Sequence, residues 1–207
     1  MHRTTLSFVT LFYAANLLAQ QAAPELTIEI NRHREHYKQD FLTDERSPLQ
    51  ARDTAQLDFY PADAAWDITA RFERTPDAKP FDLPTYSGRT KKFVRYGIAH
   101  FEVAGKPHQL SLYQNLKVIE MEGYADYLFL PFKDHTNGDS SYGGGRYLDL
   151  RTGNIGSDGT IRLDFNKAYN PWCAYNDGYN CPVPPVENHL ELAVEAGEKN
   201  FKGEKKH

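Results

Sequence analysis

The sequence lacks the short motifs that mark the common catalytic and metal sites. It contains no Gly-x-Ser-x-Gly elbow, no His-Glu-x-x-His helix and no two paired-cysteine groups. These absences argue against a serine hydrolase, a zinc protease and a zinc-binding module. We therefore expect no metal ion and no cofactor, and the sequence leaves open whether the protein is an enzyme.

The sequence also lacks a strong excess of either charge. Its 24 basic and 28 acidic side chains give a formal net charge of −4 at pH 7. Because nucleic-acid binders present a basic face, we expect no nucleic-acid partner. The one basic run, from Lys202 to Lys206, is typical of a short solvated C-terminal tail.

Long apolar runs are missing except at the N terminus. There an apolar run from Leu6 to Leu18 follows Arg3 and precedes small and polar residues. It is too short to span a bilayer and no stop-transfer charges follow it, which is typical of a secretory signal peptide. We predict a signal peptide at residues 1–20 and a single β-rich domain at 21–207. That domain would be exported to the periplasm or the extracellular space, without stable membrane insertion after signal removal. A retained anchor is the alternative, and no oligomeric state is indicated.

Cysteine is scarce, since Cys173 and Cys181 are the only two in the chain. In an exported protein such a pair favours a disulfide, which here would close a short loop. The alternative is two free thiols, with Cys173 as a nucleophile and His189 as its base. No cationic cluster nearby indicates a lowered thiol pKa, so we predict the disulfide.

The apolar pattern changes its period along the chain. Residues 25–41 place Leu26, Ile30, Tyr37 and Phe41 at helical spacing and predict one amphipathic helix. From about residue 55 apolar and polar residues alternate, in eight or more short strands with turns between them. Long helices do not separate these strands, so a parallel sheet is not expected. The fold class predicted is mostly β, an antiparallel barrel or a bent two-sheet sandwich with one N-terminal α-helix.

Residues 142–192 carry an unusual composition. Three glycines precede Arg146, asparagines and large aromatic residues are interleaved between 166 and 180, and a proline-rich run precedes Glu187. The glycines predict a bulge or a close backbone approach, because a strand rather than a helix follows them. The asparagines suit either a polar ligand or the capping of loop turns.

Two functions of different class fit this segment. The first is the binding of a small polar or anionic ligand, with Arg146 and Glu187 on the same side of the domain. The second is a hydrolase-like reaction with Glu187 or Asp164 as general base. The candidate ligand-binding residues are Tyr142, Gly144, Arg146, Asp164, Asn166, Tyr169, Asn170, Glu187 and Asn188.

The segments YGGGRYLDL, LDFNKAYNPWCAY and CPVPPVENHL, with FLPFKD upstream, resemble the bacterial and archaeal domain-of-unknown-function family 1684. The resemblance covers nearly all of the chain after residue 20. It implies a single domain and brings no established activity. The positions that match the family motifs are Tyr142, Gly143, Arg146, Tyr147, Asp164, Asn166, Tyr169, Asn170, Pro171, Cys173, Pro185, Glu187 and Asn188.

We predict that thiol titration of the unfolded, unreduced protein finds no free thiol, because Cys173 and Cys181 are bonded to each other. Prior reduction should expose both cysteines, which serves as the positive control. Two reactive thiols without reduction would contradict the disulfide and restore the nucleophile alternative.

Overall fold

The computed structural model describes the backbone of residues 7–206 and the side chains of residues 24–206. The predicted signal peptide, residues 1–20, lies outside the residues described with side chains, and its prediction stays untested. The main helix, α1, is assigned to Ser7–Thr43, and a single helical turn, α2, to Ala51–Thr54. Within the described part of the chain, no helix is long and apolar enough to cross a membrane.

Seven antiparallel strands form one curled half-barrel sheet. Their order across the sheet is β6-β5-β4-β3-β1-β7, and β2 pairs with β3 beside this path. The strands are β1 Asp67–Arg74, β2 Phe81–Pro84, β3 Thr90–Val103, β4 Lys106–Asn115, β5 Tyr127–Phe132, β6 Arg146–Arg151 and β7 Thr160–Asp164. The predicted mostly antiparallel β fold with one long N-terminal helix is confirmed.

Two predicted strands do not join the sheet. Residues 57–60 make only an isolated bridge, between Phe59 and Glu198. Residues 190–195 alternate as a strand would, but they run over the sheet as an irregular segment. The carbonyl of Val194 accepts a bond from the Arg146 guanidinium, 2.7 Å away, so a side chain replaces a neighbouring strand as its partner.

The two faces of the sheet carry different kinds of side chain. Because neighbours along a strand point to opposite faces, Leu128 and Leu130 pack in one core, while Phe129 packs in another. The first core is mostly aliphatic and is the larger one. The second consists mainly of rings, namely Phe81, Phe93, Tyr113, Tyr127, Phe129, Tyr147 and Tyr169. We call the second the aromatic face.

Helix α1 packs through the residues that its sequence spacing predicts. Ile30 and Phe41 are buried, and the Tyr37 ring meets the Phe41 ring edge-on with centroids 5.0 Å apart. Phe41 in turn contacts Tyr175 and Trp172 in the loop that follows β7. The helix is therefore fixed against that loop, beside the aromatic face.

The loop after β7 is closed by the predicted disulfide. Cys173 and Cys181 are bonded, with their Cα atoms 6.3 Å apart. Both residues are buried, and Tyr175 inside the loop is fully inaccessible to solvent. The pair is consistent with an oxidising, exported location.

Arg146 is a fully buried charged residue, with no accessible surface. Its Nη2 lies 2.9 Å from Oδ2 of Asp134, whose side chain is equally inaccessible. The guanidinium also donates to the carbonyls of Val194, Ala196 and Glu198. Arg146 thus binds the C-terminal segment to the end of β6.

We predict that Arg146→Met lowers the free energy of unfolding by about 3–5 kcal/mol, because it leaves the Asp134 carboxylate buried without its partner. Urea denaturation followed by circular dichroism measures the loss. Arg151→Met on the same strand is the matched control, since Arg151 is exposed and pairs with Asp126 at the surface. Similar losses for both variants would contradict a special role for the buried pair.

Candidate functional site

Two adjoining cavities lie between the aromatic face, helix α1 and the disulfide loop. The first, the aromatic cavity, has a volume of about 440 Å³. The second, the helix cavity, has a volume of about 1000 Å³ and lies along the last turns of α1. Arg46, Tyr169 and Trp172 line both and separate one from the other.

The aromatic cavity is built from strand alternation and one covalently closed loop. Lys91 and Phe93 lie two apart on β3, and Tyr127 and Phe129 lie two apart on β5, so each pair faces the same side. The disulfide loop supplies the opposite wall. The rings lining the cavity are Phe93, Tyr127, Phe129, Tyr147, Tyr169, Trp172 and Tyr179.

Lys91 is the charged residue that β3 contributes to the aromatic cavity. It is half-buried, and desolvation by the surrounding protein lowers the pKa of its ammonium group. Among the described side chains, no carboxylate pairs with it. Its neighbour Lys92 points the other way and lies 2.9 Å from the carboxylate of Asp82. The two adjacent lysines therefore differ in surroundings and in pairing.

Asp149 lines the helix cavity and is open to solvent through it. The hydroxyls of Tyr127 and Tyr169 both donate to its Oδ1, at 2.6 and 2.8 Å. Loss of bulk hydration raises the pKa of Asp149, and the two hydroxyl bonds partly oppose that rise. No donor among residues 24–206 reaches Oδ2, so this oxygen is available to solvent or to a ligand.

Glu198 is a second unusual carboxyl group, and it is completely buried. Its oxygens accept bonds from the hydroxyls of Tyr175 and Tyr37 at 2.6 and 3.0 Å, and from the amide of Asn170 at 2.9 Å. Burial raises the pKa of Glu198 to about 7, although these three donors favour the charged form. Tyr37 connects this network to the wall of the helix cavity.

The three asparagines predicted to bind a ligand bond instead to backbone groups of other segments. Asn188 accepts from the amide of Ser111 and donates to the carbonyls of Ser111 and Pro131. Asn166 accepts from the amide of Asp63 at 2.9 Å and donates to its carbonyl. Asn170 donates to the carbonyl of Lys199 at 2.8 Å. All three asparagines are buried, and none of them lines either cavity.

Arg146 and Glu187, which we expected on the same side of the domain, do not contact each other. Arg146 is fully buried against Asp134, while Glu187 is exposed and accepts a bond from the Tyr113 hydroxyl at 2.9 Å. The reason is local: the turn after Pro185 buries Asn188 under the sheet and leaves Glu187 on the outside. A shared ligand between the two side chains is therefore not supported.

Asp164, the other candidate base, is committed to neighbours. Its Oδ2 lies 3.0 Å from the Lys167 ammonium, and its Oδ1 accepts from Asn166. It is buried and lines neither the aromatic cavity nor the helix cavity. Its position favours a structural role over proton transfer.

The glycines near Tyr142 are needed for close packing, as the sequence predicts. A Cβ on Gly144 would lie 2.2 Å from the Tyr142 ring, and the Gly144 carbonyl accepts from the Tyr86 hydroxyl. Gly145 has φ +90° and would bring a Cβ within 2.6 Å of the Phe132 carbonyl oxygen. Tyr142 packs with the cluster around Phe41. Of the nine predicted binding residues, Tyr169 lines the two cavities.

Sequence reasoning missed Lys91, Asp149 and Glu198. For Lys91 and Asp149 a signal was present, since each lies two residues from an aromatic residue, Phe93 and Tyr147, that faces the sheet interior. A charged residue in register with inward-facing rings is therefore a candidate for a binding site. Glu198 follows a glycine in a segment without periodicity, and no sequence signal indicates its burial.

Comparison with known proteins places the chain in a family. Residues 53–199 match the family model described as "Protein of unknown function (DUF1684)". The chain belongs to the DUF1684 family. The solution NMR structure of an uncharacterised protein from Haloarcula marismortui is 31% identical to this chain. The match covers 86% of this chain and 96% of the Haloarcula protein, with a TM-score of 0.66. No curated protein matches. Membership of the DUF1684 family confirms the resemblance seen in the sequence. Because the family is of unknown function, any functional argument rests on the geometry of the site.

We predict that Glu198→Gln flattens the pH dependence of stability between about pH 4.5 and 7. The pKa of Glu198 is about 7 in the folded protein, against an ordinary value of 4.5, so the folded protein retains a proton that the unfolded chain releases. The contribution of this proton to the free energy of unfolding is fully present below pH 4.5. It is lost as the pH rises towards 7, a decrease of roughly 3 kcal/mol. Glutamine has no proton to release.

Urea denaturation at several pH values measures the slope for wild type and variant. Glu187→Gln, at an exposed position, is the control and should keep the wild-type slope. Equal slopes for wild type and Glu198→Gln would show that burial does not perturb Glu198.

Proposed function

We propose that the protein binds a small anionic ligand with a flat apolar body in the aromatic cavity. The observation that carries the proposal is Lys91, a half-buried ammonium group with no carboxylate partner in the described chain, set among aromatic rings. The cavity lies against the 142–190 segment, through Tyr147, Tyr169, Trp172 and Pro182.

The charge of Lys91 determines the ligand's charge. Burial of a cation without a counter-ion is unfavourable, which the lowered pKa of Lys91 reflects. A carboxylate, sulfonate or phosphate entering the cavity would offset that penalty and would gain a charge-assisted hydrogen bond. Arg46 also lines the cavity at its edge, where Asp44 already pairs with it at 3.0 Å. Among the residues whose side chains are described, no acidic one lines this cavity.

The walls determine the ligand's body. Seven aromatic rings line a volume of about 440 Å³, which lies within the range of small-molecule sites. Aromatic side chains bind flat apolar groups by stacked and edge-to-face contacts. The Trp172 and Tyr179 rings already pack edge-on with centroids 5.2 Å apart, and the disulfide anchors both in place. Such a rigid wall lowers the entropy lost on binding.

We also propose that the protein acts outside the cytoplasm. The support is the apolar N-terminal run in the sequence together with the bonded cysteine pair. The hydrolase alternative finds no support from the geometry, since Glu187 is exposed on the surface and Asp164 is buried in an ion pair.

We predict that naphthalene-2-carboxylate binds the wild-type protein and that Lys91→Met weakens binding at least tenfold. The methyl thioether keeps the apolar stem and removes the charge, a change equivalent to about 1.4 kcal/mol or more. Isothermal titration calorimetry measures the affinity. Lys91→Arg should retain binding, because it preserves the cation.

Lys92→Met is the matched control, since Lys92 is adjacent, exposed and paired with Asp82. It should bind the carboxylate as the wild type does. Equal binding by Lys91→Met, or stronger binding of uncharged 2-naphthalenemethanol than of the carboxylate, would contradict an anion site at Lys91.

A further inference from the structure

We propose that the helix cavity is a second binding site and that it takes a small organic cation, such as a methylated amine, at Asp149. This inference goes beyond the anion site at Lys91 and rests on a different charged residue, although Tyr169 and Trp172 line both cavities. Its basis is the combination of an unpaired carboxylate oxygen, an acidic lining and aromatic walls in one cavity of about 1000 Å³.

The carboxylate of Asp149 is held in place but not neutralised. Two tyrosine hydroxyls fix Oδ1 and leave Oδ2 without a donor among the residues whose side chains are described. The cation nearest along the strand, Arg151, instead pairs with Asp126 at 2.6 Å. A fixed carboxylate with one free oxygen can accept a hydrogen bond from an ammonium group or attract a quaternary one.

The other charges in the helix cavity also favour a cation. Asp40 and Glu45 line it and add negative charge. Its two permanent cations are already engaged: Arg46 by Asp44 at 3.0 Å, and Lys167 by Glu29 and Asp164 at 2.7 and 3.0 Å. His33 contributes no fixed positive charge, because desolvation lowers the pKa of its imidazole.

The walls supply ring faces next to the carboxylate. Tyr37, Tyr169 and Trp172 line the cavity, and the Tyr37 and Tyr169 rings are tilted with centroids 5.9 Å apart. Aromatic faces attract ammonium groups, and rings grouped beside a carboxylate bind methylated amines in preference to hydrated inorganic cations. The Arg46 guanidinium, 5.9 Å from the Trp172 ring centroid, already makes one such contact at the edge of the cavity.

Choline chloride is the probe, and 3,3-dimethyl-1-butanol, its uncharged isostere, is the matched ligand control. We expect choline to bind with millimolar or better affinity and the isostere to bind at least tenfold more weakly. Asp149→Asn, which keeps an oxygen acceptor for both tyrosines, should weaken choline binding at least tenfold. Glu191→Gln, at an exposed acid that lines neither cavity, should leave it unchanged.

NMR titration of the full-length protein gives a second readout. Choline methyl protons should show intermolecular nuclear Overhauser effects to the rings of Trp172 and Tyr169, a result that does not depend on any variant folding. Absence of these effects, equal binding of the isostere, or unchanged choline affinity in Asp149→Asn would each overturn the proposal. Lys91→Met should bind choline normally and Asp149→Asn should bind naphthalene-2-carboxylate normally, so failure at one site is distinguishable from failure at the other.

Discussion

The buried guanidinium of Arg146 joins parts of the chain that the sheet alone does not hold. It meets the Asp134 carboxylate after β5 and three carbonyls between Val194 and Glu198. Those carbonyls belong to an irregular segment, where no neighbouring strand satisfies them, and buried carbonyls need donors. By fixing residue 198, the same contacts position the Glu198 carboxyl beneath Tyr37 of α1 and Tyr175 of the disulfide loop. Through Tyr37, part of the wall of the helix cavity therefore depends on one ion pair in the interior.

The sequence predicts the fold well where periodicity determines it. Helical spacing between Ile30 and Phe41 and strict alternation from Trp66 to Glu73 give elements that the structure contains. It fails at residues 190–195, whose alternation resembles a strand. The backbone of Leu190 and Leu192 bonds to Lys133 and His135, but at Val194 the side chains of Arg146 and Asp134 supply the partners. Here side chains take the place of a neighbouring strand as hydrogen-bond partners. This is a tertiary effect, because the partners lie about fifty residues away along the chain and no local sequence pattern predicts it.

The candidate site is harder to predict, for a physical reason. Arginine and asparagine in a loop-rich motif can either bind a ligand or hold buried backbone segments together. Both roles require several hydrogen bonds from a fixed side chain, so the sequence does not distinguish them. Asn188 has the structural role, since it bonds to the backbone of Ser111 and Pro131. Lys91 and Asp149 lie in ordinary strands, and their importance comes from which rings surround them after folding. The unusual composition of residues 142–192 therefore identifies residues that hold the fold together more clearly than residues that line the cavities.

Tyr169 shows how scaffold and cavities are connected. Its backbone pairs with Tyr147 on β6, its hydroxyl fixes Asp149, and its ring separates the aromatic cavity from the helix cavity. The preceding residues Asn166 and Ala168 and the following Asn170 hold this position through bonds to Asp63, Glu198 and Lys199. The Tyr169 ring divides the two cavities, so its position affects the shape of both. Asn166 and Asn170, which line neither cavity, therefore influence the shape of both by holding Tyr169 in place.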